Sequence, residues 1–128
     1  MQPTFGEIEN LEKQNIKRQM ISMNIITKFC QVIISATGKE EADNISDSLV
    51  TKKLIAGSLI IKGPSRYWWN GKIVEKEYYN VQAFSLMKNK DKIIDDVKKI
   101  HSDECPIIAF SVIDGNKEFL DWIREFVR

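Results

Sequence analysis

The sequence predicts an α+β fold: a ferredoxin-like βαββαβ antiparallel sheet with an extra C-terminal helix and an N-terminal extension. Three observations lead there. Apolar, β-branched runs alternate with segments of helical period in the order strand, helix, strand, strand, helix, strand, helix. Asn70-Gly71 lies between two extended runs and favours a two-residue type I′ turn, because both central residues need positive φ and Asn and Gly tolerate it. The length of 128 residues, 43% hydrophobic and 29% charged, suits one globular domain with one core.

Residues 1–24 are polar and loosely periodic and form an extension to a domain at 25–128. Thr4 to Glu7 has the form of a capping box, and Ile16, Met20 and Met23 recur at i, i+4, i+7; the segment reads either as a helix or as a frayed extension. Phe29 to Ser35 is a largely apolar, β-branched run, as expected of a strand buried on both faces. Thr37-Gly38-Lys39-Glu40 has the form of a second capping box, opening a helix with Ala42, Ile45 and Leu49 inward and Lys52 and Lys53 at its negative end.

Leu59 to Ile61 begin the next strand, where Gly63-Pro64 implies an edge or a bulge because proline cannot donate to a ladder. The third strand runs from Lys72 towards Lys88. Asn89 is placed to cap a helix with the stripe Ile93, Val97 and Ile100. Pro106 to Ile113 is a fourth strand, and Asn116 is placed to cap a last helix with Phe119, Leu120, Ile123 and Val127 inward.

The hairpin turn fixes its own register. Trp69 faces Lys72, Trp68 faces Ile73, Tyr67 faces Val74, and Arg66 faces Glu75 as an opposite-charge pair. A straight strand over 72–88 would span about 55 Å at about 3.3 Å per residue. A compact chain of this length has a diameter of only about 36 Å. The strand must therefore bulge, bend or reach a neighbour, and Tyr67, Trp68, Trp69 and Lys72 at the tip are the expected oligomer contact.

A formal net charge of +1 argues against non-specific nucleic-acid binding, which needs a basic face. No window approaches the length of a membrane span. The acidic N-terminus fits neither a secretory signal nor a transit peptide, so a cytoplasmic location is expected. Cys30 and Cys105 match no zinc spacing and start strands at opposite ends of the sheet, so both are expected as free thiols. No phosphate loop or hydrolase arrangement is present, and Asp95-Asp96 reads as a solvated pair.

The densest set of metal-binding side chains is His101, Asp103, Glu104 and Cys105. A thiolate and an imidazole suit copper or zinc. Side chains so close in sequence diverge in a turn, and His101 also fits a helix C-terminus, where a cation meets the dipole favourably; ligands from a neighbouring copy would complete a metal site.

Three ordered matches make the chain resemble the CutA family of divalent-cation tolerance proteins over roughly residues 29–126. The hairpin pattern Ser-x-Tyr-x-Trp-x-Gly-Lys is met at Ser65, Tyr67, Trp69, Gly71 and Lys72. A His-Pro-Tyr-Glu-x-Pro segment is met at His101, Glu104 and Pro106, with Asp103 for tyrosine. A closing Gly-Asn-x-x-Tyr-Leu-x-Trp pattern is met at Gly115, Asn116, Leu120 and Trp122, with Phe119 for tyrosine. The resemblance implies a ferredoxin-like subunit in a homotrimer, no catalytic activity, and copper or another divalent cation as ligand, with His101, Glu104 and Cys105 as candidate metal residues. Gly57 stands where the family commonly has a cysteine proposed to bind copper, and the glutamate that follows the family's histidine segment is absent after Pro106. These departures leave open a second expectation, a trimer related to PII signalling proteins that binds a small anionic ligand or a partner protein between subunits.

Overall fold

The computed structural model describes residues 2–26 and 28–128, with side chains described outside 19–26. Its elements are α1 (Phe5–Ile26), β1 (Phe29–Ala36), α2 (Lys39–Thr51), β2 (Gly57–Trp69), β3 (Lys72–Leu86), a 3-10 turn (Met87–Asn89), α3 (Lys90–Ile100), β4 (Ile108–Val112) and α4 (Lys117–Phe126). The four strands form one antiparallel sheet in the order β2-β3-β1-β4, the ferredoxin-like arrangement.

Alternation along β1 divides the sheet into two faces. Cys30, Val32, Ile34 and Ala36 are fully buried beneath α2 and α3, together with Ala42, Ile45, Leu49, Val81, Ala83, Ile93 and Val97. Each buried valine, leucine or isoleucine contributes about 1.5–3 kcal/mol. Phe29, Gln31, Ile33 and Ser35 point the other way and are half-buried, which corrects the expectation of a strand buried on both faces. On that second face α4 covers one end, where Ile123 and Val127 join Leu86, Phe84 and Phe119. Beyond it Leu59 and Ile61 stay exposed.

β2 is an edge strand, so Pro64 leaves no ladder partner wanting, and the register with β3 runs without a bulge from Gly57↔Phe84 to Trp69↔Lys72. Every hairpin pair expected from the turn is found, with Asn70 at φ 50 and Gly71 at φ 74.

The helix starts are more varied than the sequence suggests. Thr4 and Glu7 form a true capping box: the Glu7 amide donates to Thr4 Oγ1 (3.2 Å) and the Thr4 amide to Glu7 Oε2 (3.1 Å). Ile16 of the expected stripe is exposed, and the side chains of Met20 and Met23 lie outside the described residues. At α2 the cap residue is Gly38, and Thr37 bonds Glu41 rather than Glu40. Asn89 and Asn116 hold the cap positions of α3 and α4 but turn their side chains elsewhere, Asn89 to the Arg128 carbonyl (3.0 Å) and Asn116 to Glu118 (3.1 Å).

The Asp95-Asp96 expectation also needs correction. Asp96 is 6% exposed, accepts from Ser48 Oγ at 2.7 Å and pairs with Lys52, tying α3 to α2. Burial alone would raise its carboxyl, but the Lys52 and Ser48 contacts hold it below the ordinary value.

Candidate functional site

The distal half of the β2–β3 ribbon carries the sequence-predicted contact residues. Trp68 is 72% exposed and stands across from Ile73, itself 58% exposed; Trp69 is across from Lys72. Neither tryptophan belongs to either buried cluster of its own chain. Tyr67 behaves differently: its ring meets Tyr78 edge to face, with centroids 5.9 Å apart. Arg66–Glu75 and Lys62–Glu77 pair across the strands, but both are exposed and contribute little to stability.

A polar chain links the ribbon to the segment after α3. Tyr67 Oη lies 3.5 Å from Tyr78 Oη, and Tyr78 donates to Asp103 Oδ2 at 2.9 Å. The Tyr67 contact, partial burial and the Asp103 carboxylate all push the Tyr78 hydroxyl upward. The Asp103 amide then donates to His101 Nδ1 (3.0 Å), and His101 Nε2 lies 2.5 Å from the Ser35 carbonyl. A backbone amide can only donate and a carbonyl can only accept, so the ring is the neutral tautomer with its proton on Nε2. The imidazole is fully engaged by its own chain.

Glu41 holds the same segment from the other side. Its Oε2 accepts from the Thr37 amide (2.7 Å) and Thr37 Oγ1 (3.0 Å), and its Oε1 from the Ser102 amide (2.6 Å). These groups line an open hollow of about 320 Å³ with Asn44 and Ile100. Partial burial raises the Glu41 carboxyl, but the bonds from Thr37 and Ser102 outweigh it and bring it from 4.5 down to about 2. A depressed carboxyl stabilises the fold above the unfolded value, and that contribution disappears as the pH falls from about 4.5 towards 2. We therefore expect Glu41→Gln to cost on the order of 1–2 kcal/mol at pH 7, after allowance for solvent screening, and to flatten the stability profile between pH 4.5 and 2. Urea titrations across that range measure it; parallel profiles for the two proteins would refute this role.

The candidate metal residues are arranged unequally. His101 is half-buried and engaged on both ring nitrogens, whereas Glu104 and Cys105 are exposed in the following loop. Among the described residues no group of three or more His, Cys, Asp or Glu side chains converges as a ligand set. The described side chains of one chain therefore do not by themselves form a closed metal centre. Cys30 is a buried core thiol whose burial, partly offset by the Ser85 amide, pushes it up to about 11. At Gly57 an added Cβ would fall 2.8 Å from the tip of the Trp122 indole, so the space of the family cysteine's side chain is occupied by α4.

Glu41 and Ser35 were not singled out by the sequence as parts of this site, whereas Asp103 was one of the four side chains in the densest set of potential metal ligands. Asp103 also stands in place of the family tyrosine; it now receives the hydroxyl of Tyr78.

Comparison with known proteins places the chain in context. The family model described as CutA1 divalent ion tolerance protein matches residues 30–126. The divalent-cation tolerance protein CutA of Archaeoglobus fulgidus is 37% identical over 97 residues, covering 75% of this chain and 95% of that protein. Its counterpart from Thermus thermophilus is 33% identical over 96 residues, covering 73% and 93%. The solved Archaeoglobus structure, described as periplasmic, has a TM-score of 0.76 at 36% identity and covers 78% of this chain and 99% of its own. CutA1 from Oryza sativa shares the fold with a TM-score of 0.76 at 24% identity, covering 81% and 97%. Among the described residues no helix is long and apolar enough to cross a membrane.

Proposed function

We propose, since this chain belongs to the CutA1 family of divalent ion tolerance proteins, that it works as a cytoplasmic, non-enzymatic homotrimer in tolerance of, or response to, divalent cations such as copper. The observation that carries the assembly is the projecting ribbon with Trp68 and Ile73 exposed at its end. Two further features support it. Among the described residues both sheet edges, the 13-residue β2 and the 5-residue β4, are unpaired, and edge-to-edge pairing of unlike edges forms a ring where the rotation between copies closes. On the second sheet face Asn80 Oδ1 is buried without a partner among the described residues, between Ser35 and Ile61 in the register; a neighbouring chain can supply its donor.

For the cation, exposed Glu104 and Cys105 are the accessible donors, completed by ligands from another copy. His101 joins only by giving up its bonds to Ser35 and Asp103. Isothermal titration of the assembled protein with cuprous, cupric and zinc ions tests this reading: saturable binding that Cys105→Ser weakens at least tenfold is expected, and no heat with any ion would remove it. The absence of a converged ligand set among the described residues favours one alternative, a PII-like trimer that takes a small anionic ligand or partner protein between subunits. A thermal-shift panel of nucleotides separates the two, because a ligand selective for the folded state raises the melting temperature.

A further inference from the structure

From Phe5 to Arg18 every residue of α1 is exposed, including Phe5 (79%), Ile8 (42%), Leu11 (55%) and Ile16 (56%). This segment precedes the residues matched by the family model. At about 100° per residue those four apolar side chains fall within an arc of about 140°, a stripe wide enough to seat a second helix. A helix of this length gains little from its own hydrogen bonds in water and depends on packing.

The charges say what the partner is. Glu7, Glu9 and Glu12 all precede Lys13, Lys17 and Arg18 along the segment. A parallel neighbour of the same sequence would set acid against acid and base against base. An antiparallel neighbour reverses both and also opposes the helix dipoles favourably. Glu12 lies within the stripe itself, so a partner must bring a cation to that point, which fixes the register. A lipid surface is a poorer occupant, because the polar side has no basic excess.

We infer that α1 pairs antiparallel with α1 of a second copy, centred between residues 12 and 13, with Glu12 against Lys13 and Glu7 against Arg18. The pairing joins two core assemblies and doubles the number of chains, whatever that number is in the core.

Two full-length charge variants test it by light scattering at low salt: Lys13→Glu/Lys17→Glu/Arg18→Glu, and Glu9→Lys/Glu12→Lys, which spares the Glu7 cap. Each alone is expected at half the wild-type mass, and an equimolar mixture at the wild-type mass, since acidic and basic helices then meet. The mixture also shows that both variants are folded. Equal masses for wild type and both variants would overturn the inference, as would a mixture that remains at half mass. Because only the factor of two is read, the outcome does not depend on the core being a trimer.

Discussion

A chain carrying Trp68→Ala and Trp69→Ala is expected to keep its secondary structure and lose the threefold assembly proposed above. Both indoles lie at the end of a ribbon, outside the two buried clusters, so truncating them removes almost nothing from the subunit's own core. In the proposed assembly what they lose is contact with a neighbour, where tryptophan truncation commonly costs about 2–4 kcal/mol per residue. A ring of three chains holds three such tips, so the loss is repeated at each interface. Sedimentation should show one or two chains at concentrations where wild type sediments as a multiple of three. A mass and melting temperature unchanged by the double substitution would show that the tips carry no interface.

Lys52→Ala is expected to damage the subunit itself more than Asp96→Ala does. Asp96 is buried while the Lys52 side chain is 56% exposed, so the two ends of one ion pair are not equivalent. Removing the aspartate lets the lysine return to water and costs about 1–2 kcal/mol. Removing the lysine strands a buried carboxylate with only the Ser48 hydroxyl in direct contact, at a cost of about 2–3 kcal/mol. At about 4 °C per kcal/mol the second change lowers the melting temperature by about 8–12 °C. The pH dependence separates the mechanisms. A stranded carboxylate titrates above the ordinary 3.8 and is relieved by protonation, so the deficit of Lys52→Ala should narrow as the pH falls through about 4. Equal deficits for both variants, independent of pH, would mean that the contact between α2 and α3 is steric.

Local rules made the scaffold legible. The Asn70-Gly71 turn fixed every hairpin pair because two positive-φ residues leave one register, and the periods of α2 and α3 pointed Ile45, Leu49, Ile93 and Val97 inward. Asn116 was lost to a near neighbour, Glu118, but two other misses lie where a side chain was claimed from far along the chain. Asn89 looked like a cap but is used by the Arg128 carbonyl, and Asp96 looked solvated but is met by Lys52, 44 positions earlier. The same holds at the candidate site. His101 was visible as the sole histidine, while its engagement by Ser35 and the Asp103 amide depends on how β1 meets the loop after α3, which no local pattern encodes. Gly57 was visible as a departure, and only the placement of Trp122 shows what fills its space.

The mass of the wild-type chain in dilute solution, measured by light scattering, tests the central claim most directly. A multiple of three chains is predicted, six with the α1 helices paired and three in either charge variant. A single chain or a simple dimer would contradict it.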